Sequence, residues 1–183
     1  MNNHKIIATD KNLFINFNSV VAFFIGVLFA IIQFCYFFIL EAYVSSRVTI
    51  YFVALLFWLL GFFIGLHIKF NNLLIKLLIA SLFMYYITLF LNIQIPFNKN
   101  ILILSCLFIL ISGFAPGYYF IYAKKQFPKV KFLFLHENNG FILGIILSFS
   151  GVYYTGNFMI YFAPLIWLLF VVALLIFSNK IKN

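Results

Sequence analysis

The sequence predicts an all-α, polytopic membrane protein with six transmembrane helices, and three observations carry that prediction. Of the 183 residues, 66% are hydrophobic and only 8% are charged, with a mean hydropathy of +1.15. Water-soluble domains need many more charged side chains to cover their surface. The apolar residues fall in unbroken runs of about twenty, the length at which a helix crosses the hydrocarbon layer. Those runs do not alternate apolar and polar positions as the strands of a membrane barrel do, and within lipid only helices and closed barrels satisfy every backbone polar group.

Residues 1–18 form a polar, Asn-rich lead with Lys5 and Lys11. It is too long and too polar for a usual signal-peptide start, and no small-residue cleavage site follows, so it is expected to stay as a cytoplasmic tail. The first span is expected over 19–40. A link with Glu41, Ser45, Ser46 and Arg47 is short enough to make an antiparallel hairpin with the second, over 48–67. The third is expected over 72–92, a turn around Pro96 to Asn100 leads into the fourth over 101–123, and Lys124, Lys125, Pro128, Lys129 and Lys131 mark the longest basic loop. The fifth span follows over 132–154, Thr155, Gly156 and Asn157 make the next turn, and the sixth runs over 158–178 before Lys180 and Lys182 in the closing tail, 179–183. The membrane domain thus occupies 19–178, and no hydrophilic stretch is long enough for a second, soluble domain.

Charge orients the bundle. The two tails and the loops after the second and fourth spans hold ten of the twelve Lys and Arg residues; the other loops hold Arg47 and Lys99. Positive charge favours the cytoplasm, so both termini are expected inside, and an ordinary bacterial inner membrane fits the asymmetry. The same spread argues against nucleic acid, because the formal charge of +9 is divided among short loops and forms no single patch with stacking aromatics.

Few residues carry chemistry. Cys35 and Cys106 lie inside apolar runs, outside any Cys/His cluster. His4, His67 and His136 are scattered; His67 and His136 fall near one membrane face, but two His residues without a further ligand make a poor metal site. No GxSxG, phosphate-binding glycine loop or dinucleotide fingerprint is present. The chain is therefore expected to be no enzyme and to hold no metal or cofactor.

Three helices bear glycines four apart: Gly61 and Gly65, Gly113 and Gly117, Gly140 and Gly144. Such pairs let helix backbones approach closely in lipid, within one chain, between copies or along a moving seam. Pro116 should kink the fourth span and Pro164 the sixth, releasing carbonyls that neighbours or water must satisfy. Glu137, flanked by His136, Asn138 and Asn139, is expected about one turn inside the cytoplasmic end of the fifth span. A charge there is costly unless paired or wetted, so the cluster is either a site or a salt bridge to Lys69, Lys124, Lys125 or Lys131. Glu41 lies at the opposite face, on the helix that carries Gln33, with Arg47 as a ready partner across the hairpin. Being near opposite faces, Glu41 and Glu137 cannot form a two-carboxylate hydrolytic site.

Two segments together resemble the membrane region of the spermidine-synthase-like integral membrane family. Gln33, Glu41, Trp58, Gly61 and Gly65 match its first hairpin. Gly113, Pro116, Gly117 and Phe120 match its G-x-x-P-G-x-x-F helix, and Glu137, Gly140 and Gly144 match its later helix with an acid and two glycines. The stretches cover about half the chain in the family's order. The resemblance implies a bundle like one half of a major-facilitator-type transporter, which in fused relatives precedes an aminopropyltransferase domain. This sequence ends at Asn183, so that domain and its activity are not expected here. The loop 66–76 also lacks the acid and paired basic residues typical of the transporter superfamily. The function expected is a transporter-like or small-molecule-binding membrane module, its cavity lined by the kinked fourth helix and the glycine faces of the second and fifth. Gln33, Glu41, His136, Glu137, Asn138 and Asn139 are its candidate ligand-binding groups, and an organic cation such as a polyamine its candidate ligand. A six-helix half needs a homodimer or another membrane subunit to enclose a path. The alternative is a non-transporting accessory subunit of a larger membrane complex.

Overall fold

The computed structural model describes residues 3–69 and 73–182, with side chains over 17–69 and 73–178. Its described residues form six α-helices, α1 (Asn3–Tyr43), α2 (Val48–His67), α3 (Leu74–Gln94), α4 (Lys99–Lys124), α5 (Val130–Thr155) and α6 (Asn157–Lys182). Each is long and apolar enough to cross a membrane, with the apolar part of α1 starting at Phe17. The lead segment is thus helical from Asn3, continuous with the first span. Local chemistry explains the ends that differ from the sequence expectation. The side chain of Asn98 accepts from the Asn100 N–H at 2.8 Å, capping α4 two residues earlier than expected. Gly156, at φ +55° and ψ −127°, takes a backbone conformation that favours glycine, and it stops α5.

The loops group at two ends. The Phe97 N–H bonds to the Tyr43 carbonyl at 2.7 Å, joining the links that carry Arg47 and Lys99. At the other end, the Leu73 N–H reaches the Tyr118 hydroxyl at 3.3 Å, near the loop that follows Lys124.

Helix α1 is the central strut. It touches all five other helices, and Ala22, Ile25, Leu28, Ile32 and Tyr36 are fully buried along it. Its closest neighbour is α5, and the other close pair is α2 with α4. Both pairs run parallel on interlocked small residues. Gly61 and Gly65 lie against Gly113 and Gly117 in register: a Cβ on Gly61 would overlap the Leu110 carbonyl, and one on Gly117 the Phe62 carbonyl. In the α1–α5 seam, a Cβ on Gly140 would overlap the Phe23 carbonyl, and one on Gly144 would come within 2.6 Å of the Ala30 Cβ. Nothing larger than hydrogen fits, so the backbones themselves are in van der Waals contact.

The two prolines are answered by one helix. A proline lacks the N–H that would bond the carbonyl four residues before it, which frees the Ser112 carbonyl in α4 and the Ile160 carbonyl in α6. Ser81 of α3 donates to the first at 3.3 Å, and Tyr85, one turn further along α3, donates to the second at 2.6 Å. Tyr86 adds a bond to the Tyr161 carbonyl at 2.7 Å. The Tyr36 hydroxyl of α1 and the Ser112 hydroxyl lie 2.7 Å apart in the same buried layer.

Contacts divide the bundle into two triplets, α1 with α5 and α6, and α2 with α3 and α4; between the triplets they are sparse. Replacing α1, α2, α3 by α4, α5, α6 and the reverse converts one triplet into the other and maps the α1–α5 seam onto the α4–α2 seam. The correspondence is partial, since α5 touches α6 whereas α2 does not touch α3.

Candidate functional site

A cleft of about 480 Å³ lies between the triplets, and its walls come from α1, α2, α4 and α5, with none from α3 or α6. Helix α1 contributes Gln33, Phe34 and Phe37; α2 contributes Leu55, Trp58, Leu59 and Phe62; α4 contributes Pro116 and Phe120; α5 contributes Phe134, Glu137, Asn138 and Phe141. On each helix these positions are one, three or four residues apart, so each presents a single face to the cleft. A second hollow, of about 450 Å³, runs along the outer face of α2 from Thr49 to Leu60, but no ionisable side chain lines it.

Three of the expected polar residues meet in the cleft. Gln33 is 6% exposed and lines it from α1, while Glu137 and Asn138 line it from α5. Glu137 is the only ionisable group in the lining. Among the described residues its carboxylate has no hydrogen bond and no ion pair, so the expected salt bridge to Lys69, Lys124, Lys125 or Lys131 is not formed. Helix α5 begins at Val130, which places Glu137 seven residues in, two turns and about 10 Å along the axis. Its backbone is pinned from both sides, because a Cβ on Gly26 would overlap the Glu137 carbonyl and Gly140, one turn on, is locked against Phe23.

The other candidates lie elsewhere. His136 is half-buried beside Glu137 and Asn139 is exposed on α5, but neither lines the cleft. Glu41 is exposed, eight residues beyond Gln33, and neighbours the Tyr51 hydroxyl; among the described residues it makes no ion pair with Arg47. The expected glycine-lined wall is corrected too. Gly61, Gly65, Gly113, Gly117, Gly140 and Gly144 are buried inside the two seams, where contact with a facing backbone leaves them no surface to offer a ligand. Pro116 does reach the cleft. His67 directs Nδ1 at the Phe63 carbonyl, 2.9 Å away, and no group of three His, Cys, Asp or Glu among the described residues could hold a metal ion. The side chains of His4 and Asp10 lie outside the described residues.

Sequence reasoning missed Gly26 and the aromatic wall. The spacing Ala22, Gly26, Ala30 was a signal for the first, the same small-residue repeat as in the other helices. For the second there was none, since 28 Phe residues offer no way to tell a wall from a lipid face. Chemically, the cleft holds one carboxylate, two amides and ring faces, a set suited to binding. Comparison with family models, with curated proteins and with solved structures gave no match for the chain.

Proposed function

We propose that this chain is an integral membrane, transporter-like module that binds a small molecule, an organic cation, in the cleft between its triplets. The observation that carries the reading is Glu137, a carboxylate two turns into a helix long and apolar enough to cross a membrane, which lines a cavity and makes no hydrogen bond or ion pair among the described residues. An ionisable group at such depth is costly, and is kept where it meets a ligand, an ion or water. The correspondence of the α1–α5 seam with the α4–α2 seam supports a transporter-like build, in which sites lie at the interface between similar halves. The resemblance to the membrane region of the spermidine-synthase-like family points the same way. Charge asymmetry supports both ends in the cytoplasm of a bacterial inner membrane.

The test is purification in mild detergent followed by mass spectrometry of the intact assembly. A small-molecule adduct on the wild type that is missing from Glu137→Gln is the expected result. A ligand-free chain bound to stoichiometric foreign subunits would replace this reading with that of an accessory subunit. One observation favours that second reading: Asn139 is exposed within the α5 span, and an amide facing lipid gains from a partner, either a second copy or another subunit. Cysteines at Arg47 and Lys124 test orientation, with labelling from outside the cell expected only at the first.

A further inference from the structure

We infer that the ligand of the cleft is a singly charged organic cation bearing aromatic or bulky apolar groups, which enters sideways from the bilayer. This rests on reading the cleft as a small-molecule site and specifies what that site takes.

The charge balance sets the valence. Glu137 is the only ionisable group in the lining, so it neutralises one positive charge. A polyamine would bring two or three more ammonium groups against Phe and Leu walls, where an unpaired charge is strongly disfavoured. The surroundings repeat the selection, because Lys124, Lys125, Lys129 and Lys131 are all exposed at the end of the bundle nearest Glu137 and repel a polycation far more than a monocation.

The walls set the rest of the molecule. Trp58, Phe62, Phe120 and Phe141 line the same cleft as Glu137, and aromatic rings attract desolvated cations with a diffuse charge. Hydrated ammonium or metal ions gain little from such walls. The volume of about 480 Å³ falls within the range of pockets for drug-sized molecules.

The mouth sets the route. Helices α2 and α5 flank the cleft without touching each other. Between them the lining residues Leu59 and Phe134 are 55% and 52% exposed, so the gap between the two helices is open and apolar. An apolar opening of this kind admits a molecule already dissolved in the membrane.

Equilibrium binding to the purified protein tests this with four probes: tetraphenylphosphonium, tetraphenylborate of the same shape and opposite charge, tetramethylammonium with the charge but no rings, and spermidine. Tetraphenylphosphonium is expected to bind, the other three to bind at least about tenfold more weakly, and Glu137→Gln to weaken the phosphonium at least about tenfold, the loss of one ion contact in a partly wetted site. Trp58→Phe, which keeps the charge, should weaken it less. Equal binding of spermidine or tetramethylammonium overturns the monovalent, apolar assignment. Equal binding of the borate, or full binding by Glu137→Gln, overturns recognition by charge; either result leaves the cleft a small-molecule site. No binding of any probe, together with no adduct on the intact protein, removes both readings.

Discussion

Substituting Tyr85 by Phe removes a buried hydroxyl on which a membrane helix depends and which also meets the Cys35 thiol. Pro164 leaves the Ile160 carbonyl without its helical partner, and the fully buried Tyr85 hydroxyl donates to it at 2.6 Å. Tyr85→Phe keeps the ring and removes the donor. An orphaned buried acceptor costs about 1–3 kcal/mol, whereas hydrogen bonds between helices in membranes average about 0.6 and reach about 1.7 kcal/mol. The overlap of those ranges gives an expected loss of about 1–1.5 kcal/mol. Pro164→Ala restores an N–H that can close onto the same carbonyl, so in that background Tyr85→Phe should cost about 1 kcal/mol less, leaving only the Cys35 contact to lose. The assay is unfolding of all four variants by SDS titration in mixed micelles, followed by circular dichroism. An equal cost of Tyr85→Phe with and without Pro164 would refute the account, since the hydroxyl would then not be serving the gap left by the proline. The pair Ser81 and Pro116 provides an independent repeat, with a smaller coupling expected from its longer 3.3 Å contact.

Glu137→Leu should stabilise the fold by about 1 kcal/mol, because it removes a carboxylate that makes no hydrogen bond or ion pair among the described residues from an apolar helix; a loss of stability would show that the group stabilises the fold. Gly26→Leu should destabilise by about 1–3 kcal/mol or more, since the side chain would meet the backbone at Glu137, where nothing can turn aside; wild-type stability would refute the seam. Gly156→Ala should cost about 1–3 kcal/mol, all of it through the backbone, because nothing lies within 4 Å of the added carbon. Cys35 and Cys106 are both buried, so maleimide should label neither until SDS unfolds the protein; rapid labelling of Cys35 in the folded state would contradict the central position of α1.

The number, type and approximate ends of the spans were legible in the sequence because lipid imposes one simple requirement, an apolar run long enough to cross with its backbone satisfied internally. The 48–67 expectation coincides with α2, and the others shift by a few residues at most apart from α1, whose helix runs back into the polar lead. Small-residue pairs were legible as contact points for the same reason, since only missing side chains let two backbones meet. Which backbones meet was not. Four glycine-bearing helices can be paired in several ways, and only the folded chain matches Gly61 with Gly113 and Gly140 with Phe23. The prolines announced two freed carbonyls, but Ser81 and Tyr85, placed 31 and 75 residues away from their acceptors, had no local pattern to mark them as donors. Glu137 stood out as an acid in a span. That it shares a cleft with Gln33 and not with Glu41 follows from the parallel seating of α5 on α1, which puts Glu137 against Gly26 and leaves Glu41 at the far end of the same helix. Composition determined the solvent and the elements; close packing, which is specific to shape and nearly blind to hydropathy when every surface is apolar, decided the pairings and thereby the site.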